Sequence, residues 1–172
     1  HLPKIACKIA LIVPPENNLA QGKLFLDGGN LRTNADVSTF SKDIILNSQG
    51  GIDTNGHNSK VQSIIQGDGQ FVKSGEGALT LEGVNIYAGG TLIEGTGTVE
   101  AGHKASVLAV TSHANLGLNN TNITLDKEGQ LKLLASLDIG AADGRALIVG
   151  SGNGSLDTNG HDSSISSAIT HR

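Results

Sequence analysis

The sequence predicts an all-β fold in which short strands wind into a β-solenoid. First, apolar and polar residues alternate only in short runs, such as ALTL at 78–81 and TLIE at 91–94, and alternation of this period is typical of strands. Second, glycine closes these runs and accounts for 24 of the 172 residues, and it adopts the conformations that sharp corners need. Third, none of these runs is long enough for a helix. Strands of about four residues between corners indicate coils that hydrogen-bond to one another about 4.8 Å apart.

The stretch 71–102 carries the densest pattern of this kind. From residue 75 to residue 91 it reads GEGALTLEGVNIYAGGT, which closely resembles the pattern GxGxLxLxGxNxYxGGT of the autotransporter-associated β-strand repeat in bacterial type V secreted proteins. The segment 50–75 resembles the lead-in to such repeats, so the resemblance covers residues 44–102. The matching positions are Gly75, Gly77, Leu79, Leu81, Gly83, Asn85, Tyr87, Gly89, Gly90 and Thr91.

The resemblance implies a right-handed parallel β-helix in a secreted passenger, with neither a catalytic site nor a cofactor. We therefore interpret the matching residues as structural positions of the repeat. Gly83, Gly89 and Gly90 are expected to have positive φ or to sit where another backbone leaves no room for a Cβ. Tyr87 is expected to pack its ring on the coil surface, with its hydroxyl reaching water or a carbonyl. The side chains expected to point inward are Ile52, Leu79, Leu81, Leu92 and Leu156.

Composition narrows the class of protein. The chain has neither Met nor Trp and only 2% aromatic residues, so Val, Ile, Leu and Ala must fill its core, which a narrow solenoid permits. The length suits one domain, and at about 20 to 25 residues per coil the chain makes roughly seven or eight coils. A formal net charge of −4 without a basic cluster disfavours nucleic acid and anionic membranes as partners. Cys7 is the single cysteine, which excludes an internal disulfide and a CxxC metal site.

Residues 1–19 differ from the rest and are expected to form a cap over one end of the solenoid, whose coils occupy residues 20–172. The apolar run 2–13 is interrupted by two lysines and stops at Pro14 and Pro15, which cannot continue a regular element. The run is too short and too charged to span a bilayer, and it lacks the charge order and cleavage site of a signal peptide. We expect the chain to be a fragment of a longer passenger.

The coil pattern begins between residues 21 and 46. Apolar runs there alternate with Gly, Asn and Asp, which predicts short strands separated by turns. Strands are expected at 23–26, at Leu31 and at 44–46, with turns at 27–30 and 48–51. Asparagines at corners either stack as ladders between coils or occupy left-handed turn positions, and the turn interpretation is favoured. These asparagines are Asn30, Asn34, Asn47 and Asn55.

An internal repeat supports a regular architecture. GIDTNGHNSKVQSII at 51–65 returns as SLDTNGHDSSISSAI at 155–169, so Asp157 matches Asp53. This spacing exceeds one coil. The sequence therefore predicts a higher-order repeat that spans several coils.

Weaker coils are expected between residues 103 and 149. Leucine and alanine favour helix in KASVLAV and LKLLASLDI, but Gly, Asn and Asp bound these runs at intervals typical of strands. We therefore expect strands here, and any helix to be a single short turn. The expected strands are 105–110, 122–125, 130–134 and 146–149.

Two histidines suggest a catalytic interpretation that the rest of the sequence does not support. His57 and His161 lie in matching TNGH corners, each followed by Asn or Asp and then by Ser. A triad is one constellation built from distant segments, whereas a repeated corner histidine is most simply an exposed turn residue. The sequence lacks a GxSxG elbow and the HExxH and Cys/His spacings of zinc sites. The segment 150–163 resembles a GGxGxDxUx calcium repeat, but Ser155 stands where the ligand Asp should be. The sequence therefore predicts no catalytic, metal or cofactor site.

Three functions remain open. The preferred one is a structural or adhesive stalk in an autotransporter passenger, exported through an outer-membrane β-barrel translocator to the cell surface or the extracellular medium. Its expected partners are a host-surface or glycan receptor, or further copies of itself. The second function is the spacer of a secreted protease or esterase whose catalytic domain lies outside this chain. The third is a pectate-lyase-like, polysaccharide-processing β-helix, for which Asp126, Glu128 and Asp138 are the candidate acids.

Overall fold

The computed structural model describes residues 11–13, 22–97, 102–140 and 143–172. In this part of the chain, the secondary structure consists of strands of two to five residues and one 3-10 turn at His113–Leu116. The strands are β1 (Leu11–Val13), β2 (Leu24–Leu26), β3 (Asn30–Thr33), β4 (Val37–Phe40), β5 (Ile44–Leu46), β6 (Gly50–Asp53), β7 (Ser59–Val61), β8 (Ile65–Gly67), β9 (Phe71–Ser74), β10 (Gly77–Leu81), β11 (Ile86–Tyr87), β12 (Thr91–Glu94), β13 (Ser106–Val110), β14 (Ile123–Asp126), β15 (Gly129–Leu133), β16 (Asp138–Ile139), β17 (Leu147–Val149), β18 (Ser155–Asp157), β19 (Ser164–Ile165) and β20 (Ile169–His171).

These strands stack into parallel sheets that form the faces of a solenoid. Most coils pass through sheet 1, then sheet 2, then sheet 3 or sheet 4, and return to sheet 1 beside the strand they left. Neighbouring strands pair in parallel, for example β3 with β6 and β10 with β13, so the predicted parallel β-solenoid is confirmed. Sheet 1 contains β1, β3, β6, β9, β12, β14, β17 and β20; sheet 2 contains β4, β7, β10, β13, β15 and β18; sheet 3 contains β2, β5, β8 and β11; sheet 4 contains β16 and β19.

Coil length is regular in the first half of the stack. Arg32 pairs with Asp53, which lies 21 residues further along the chain, within the predicted range. The coil that leads from Leu92 to its partner Thr124 is longer, because the 3-10 turn and its loop lie between β13 and β14. This confirms the expectation that any helix would be a single short turn.

The core is a set of straight rows of aliphatic side chains, one from each coil. In sheet 2, Leu79 pairs with Leu108, Leu108 with Leu131, and Leu131 with Leu156. The first three are fully buried, as are Leu81 and Ile52, which confirms their predicted orientation. Leu156 packs against this core but is only half-buried, because β18 is the last strand of sheet 2.

The predicted orientation of Leu92 is wrong. In β12 the buried residues are Thr91 and Ile93, and Leu92 is half-buried on the outer side. Two adjacent apolar residues leave the inward face ambiguous in the sequence. The structure resolves the ambiguity because the Thr91 hydroxyl finds a hydrogen-bond partner inside the coil.

Most of the other predicted elements are confirmed, whereas several short strands, β4 among them, were not predicted. The expected strands at 23–26, 44–46, 105–110, 122–125, 130–134 and 146–149 match β2, β5, β13, β14, β15 and β17 within two residues. β4 was missed because its polar residues Ser38 and Thr39 stand between the buried Val37 and Phe40. Asn55 has φ 48°, as expected for a turn, whereas Asn30 is the first residue of β3.

The two copies of the long repeat lie on different faces of the solenoid. Asp53 ends β6 in sheet 1, whereas Asp157 ends β18 in sheet 2. The turns that follow are nevertheless alike: Asn55 and Asn159 have φ 48° and 51°, and each amide donates to the preceding aspartate, at 2.9 and 2.8 Å. The repeat therefore encodes a turn that can serve at more than one corner.

The predicted cap is described only in small part. Within it, β1 pairs with β3 and adds a strand at the end of sheet 1, whereas residues 1–10 and 14–19 lie outside the described residues. Among the described residues, no helix is long and apolar enough to cross a membrane.

Candidate functional site

The glycines of the repeat motif lie at the corners of one coil. Gly83 has no room for a side chain, because a Cβ would lie 2.1 Å from the Ser63 carbonyl oxygen of the preceding coil. Gly90 has φ +82°, and its Cβ would lie 2.9 Å from the Asn122 carbonyl oxygen of the next coil. One or both of these constraints also apply at Gly75, Gly77 and Gly89.

Asn85 holds three successive coils together at a buried corner. Its Oδ1 accepts from the Ile65 amide at 2.9 Å, and its Nδ2 donates to the Asn115 carbonyl oxygen at 2.7 Å. Asn115 continues the ladder, since its Nδ2 donates to the Gly83 carbonyl oxygen at 3.0 Å. Both side chains are buried. They form hydrogen bonds with backbone groups that have no partner within the sheets, since the chain bends there.

Tyr87 lies in the core, so its predicted place on the coil surface is wrong. Its side chain is fully buried, its ring centroid is 5.5 Å from that of Phe71, and its hydroxyl is 2.7 Å from the Thr91 Oγ1. Burial raises the pKa of Tyr87. The ring fits inside because Tyr87 pairs with Gly67 in the preceding coil, and glycine contributes no side chain to that row.

A lysine occupies a position in the aliphatic core that the sequence analysis missed. Lys73 pairs with Ile52 on one side and with Ile93 on the other, and it is fully buried. Its Nζ donates to the carbonyl oxygens of Ser74 and Gly75 at 2.9 and 2.8 Å, and lies 3.0 Å from the Ser106 Oγ of sheet 2. Desolvation lowers the pKa of Lys73 to about 7, although the nearby Asp53 carboxylate acts in the opposite direction.

A second buried cation fixes the loop of the long coil. The side chain of Arg145 is 0% exposed and its Nε donates to the Asp143 Oδ2 at 2.8 Å. Its Nη groups donate to the carbonyl oxygens of Leu116 and Gly117 at 2.9 and 2.8 Å. Asp143 also contacts the His113 Nδ1 at 2.6 Å. This network stabilises the only described coil segment that replaces a sheet strand by a 3-10 turn, and no sequence motif marks it.

An open polar groove of about 460 Å³ lies at the corner between sheets 1 and 2. Arg32 and Asp53 form an ion pair at 2.8 Å on one side, with side-chain exposures of 49% and 16%. Glu76 contacts the His103 Nδ1 at 2.7 Å on the other side. The groove therefore combines carboxylate acceptors and a guanidinium donor, and three glycines contribute to its lining. Its lining residues are Arg32, Asp53, Asn55, Gly56, Ser74, Gly75, Glu76, Gly95 and Thr96.

The residues considered for catalysis are not brought together. His57 is half-buried and lies 3.6 Å from the Asp36 carboxylate. Asp126 lies on β14 of sheet 1 and Asp138 on β16 of sheet 4. Hydrogen bonds from Ser164 and Ser166 lower the pKa of Asp138, whereas a catalytic acid needs a raised pKa. In the described ranges, no three His, Cys, Asp or Glu side chains form a group that could hold a metal ion.

The motif glycines and the buried polar side chains all act on how neighbouring coils stack. They define this chain as a segment of a β-solenoid. Among curated proteins, the chain is similar to the adhesin BmaC autotransporter of Brucella suis biovar 1 (strain 1330), with 32% identity over 139 residues that cover 72% of this chain. The match spans about 4% of the length of that adhesin. No protein-family model matches the sequence, and no solved structure matches the fold. The curated match and the parallel stack together support the resemblance to an autotransporter passenger β-helix.

Proposed function

We propose that this chain is a stalk segment of an autotransporter passenger, with a structural role in secretion and an adhesive role at the bacterial surface. The observation that carries the proposal is the unbroken sheet 1, whose strands run through every described coil, in a chain similar to part of an autotransporter adhesin. Such a stack folds coil by coil, since each coil contacts only its neighbours. Folding outside the cell would therefore bias an exported chain against slipping back through its translocator.

The motif residues are proposed to secure this stack. Leu79, Leu81 and Tyr87 supply one coil of the core, Thr91 begins the next coil, and Asn85 bonds the corners of adjacent coils. The glycines allow backbones of adjacent coils to approach at the corners. In this proposal the motif has no direct contact with a receptor.

The secretion role is tested by two in-frame deletions in the full-length protein. Deleting 71–102 joins the end of β8 in sheet 3 to β13 in sheet 2 and so omits a sheet 1 strand. Deleting 71–90 removes one whole coil, because Phe71 pairs with Thr91, and leaves the order of sheets intact. We expect the first deletion to reduce surface display strongly and the second to reduce it less, as measured by antibody labelling of intact cells. Equal display of both variants and the parent protein would contradict the proposal.

The adhesive role is assigned to the polar groove between sheets 1 and 2. Hydrogen-bond acceptors on Asp53 and Glu76, together with the Arg32 donor, suit a hydroxyl-rich receptor such as a surface glycan. We expect Arg32→Ala and Glu76→Ala to reduce binding of the purified chain to host-cell glycans on an array, and Lys132→Ala on sheet 2 to leave it unchanged. A polysaccharide-cleaving activity that Asp126→Asn or Asp138→Asn abolishes would instead favour an enzyme.

A further inference from the structure

The outer surface of sheet 3 exposes large apolar side chains. Six large hydrophobic residues of the described chain are well exposed, and five of them lie on or beside this sheet, whereas Ile169 lies on the terminal strand of sheet 1. Soluble monomers rarely expose contiguous apolar surface of this kind without a binding role. The set, called the apolar face below, comprises Phe25 (62% exposed), Ile64 (41%), Val84 (64%), Ile86 (45%) and Leu118 (45%), with the half-buried Ile45 between them.

Strand register arranges the apolar face in rows, the first of which includes one polar residue, Gln66. Phe25 pairs with Ile45, Ile45 with Gln66, and Gln66 with Ile86, so these side chains form one outward row along the solenoid axis. The Ile65 amide donates to the Asn85 Oδ1, which places these two residues side by side. Ile64 and Val84, which directly precede them, therefore lie in a second row beside the first. The first row contains no charged residue, whereas the second row continues into Asp43 and Lys23, which precede the paired residues Ile44 and Leu24.

The fold itself does not require this apolar surface. The inward row of sheet 3 already supplies the core with buried side chains, such as Ile44, Leu46 and Ile65. Outward positions of sheet 2 are mostly polar, and some make ion pairs between coils, such as Lys60 with Glu82 at 3.4 Å. The apolar face is therefore a local departure from the surface chemistry of the same solenoid.

The two rims of the apolar face carry net charges of opposite sign. Lys23 and Lys42 lie on the rim where the chain enters sheet 3, together with Asp43, whose Oδ1 accepts from the Ile64 amide at 3.2 Å. Asp27 and Asp68 lie on the rim where the chain leaves it. A two-fold axis parallel to the solenoid axis places each rim opposite the other rim of a second copy, whereas a two-fold axis across the solenoid places like rims together. Charge complementarity thus selects a parallel pair.

We propose that the apolar face binds the same face of a second copy of this chain, with the two solenoids side by side and parallel. The exposed fractions amount to roughly 500 Å² of apolar surface per copy, so the pair buries on the order of 1,000 Å². That area lies at the low end of specific interfaces, which indicates a weak, reversible dimer. Parallel pairing is also the orientation in which two stalks can rise together from one surface.

Sedimentation equilibrium of the purified chain over a wide concentration range tests the pairing. We expect a monomer–dimer equilibrium that Phe25→Lys and Val84→Lys each weaken by about tenfold or more, since each removes one large apolar contact. Ile169→Lys is the matched control, because Ile169 is equally exposed (59%) but lies on sheet 1, and it should leave the equilibrium unchanged. A chain that is monomeric at every concentration, or an equal effect of Ile169→Lys, overturns the proposal.

Cysteine cross-linking tests the orientation, with Cys7→Ser as the background. In the parallel pair the row of Phe25, Ile45, Gln66 and Ile86 lies along the two-fold axis, so each of these residues faces its own counterpart. Ile86→Cys alone should therefore form a disulfide-linked dimer under mild oxidation. In an antiparallel pair Ile86→Cys would cross-link only with a Phe25→Cys partner, and that result overturns the parallel arrangement. Charge reversal of Lys23 and Lys42 to Glu should weaken the dimer, and a further reversal of Asp27 and Asp68 to Lys in the same chain should restore it.

Discussion

Replacing the buried Lys73 by Met should change how the stability of the solenoid depends on pH. Met has a similar length and no charge, so it fits the row between Ile52 and Ile93. It cannot donate to the carbonyl oxygens of Ser74 and Gly75 as the lysine does. The substitution therefore removes both an ionisable group and the hydrogen bonds of that group.

The sign of the pH effect follows from the direction of the pKa shift. Burial lowers the pKa of Lys73 to about 7 from the ordinary lysine value of 10.5. Between these pH values the unfolded chain binds a proton that the folded chain does not, so stability rises with pH. A shift of this size contributes about 3 kcal/mol between pH 7 and pH 10, at about 1.4 kcal/mol per pH unit. Below pH 7 the lysine is protonated in both states, and its contribution levels off.

Urea denaturation of both proteins at several pH values between 6 and 10 measures this contribution. We expect the free energy of unfolding of the parent chain to increase relative to that of Lys73→Met by about 3 kcal/mol from pH 7 to pH 10. The other ionisable groups are the same in the parent chain and in Lys73→Met, so their contributions cancel in this difference. Lys60→Met is the control, because Lys60 is half-exposed in a surface ion pair. A difference between Lys73→Met and the parent chain that stays constant with pH would refute the reasoning.

Three further substitutions test the corners, the core and the long coil. Gly89→Val and Gly90→Val should each lower the free energy of unfolding by about 1 to 3 kcal/mol, and an unchanged thermal midpoint for both would show that the corners tolerate side chains. Tyr87→Phe removes the hydroxyl bonded to Thr91 and should cost about 1 kcal/mol in urea denaturation, whereas no loss would place that hydroxyl in water. Arg145→Met leaves the carbonyl oxygens around the 3-10 turn without their donor, so amide hydrogen exchange should accelerate at 113–118 and stay unchanged at 77–81; uniform acceleration would indicate global unfolding instead.

The fold could be predicted from the sequence because its corners are local. A glycine or Asn-Gly turn after a short alternating run specifies a bend without reference to distant residues, and the TNGH segments adopt the same turn wherever they occur. The strands β13, β14, β15 and β17 were predictable for the same reason. Their order of stacking then follows from the chain itself.

The interior could not be predicted to the same extent, because it depends on which residue of another coil lies directly above or below. Tyr87 is inside since Gly67 precedes it in its row, and Lys73 is inside since it occupies the row of Ile52. Both pairings depend on the number of residues in the intervening coil, and no local sequence pattern specifies that number. Arg145 shows the same dependence, because its acceptors belong to a loop about thirty residues earlier in the chain.

The turn shared by Asp53 and Asp157 has a consequence for how such chains grow. Because the same segment bends correctly after a strand of sheet 1 and after a strand of sheet 2, a duplicated stretch of gene does not have to insert a whole number of coils. Unequal recombination can therefore place a copy out of phase with its source and still yield a chain that winds. Copies on different faces also belong to different sheets, so one copy is less able to pair in the position of the other during folding.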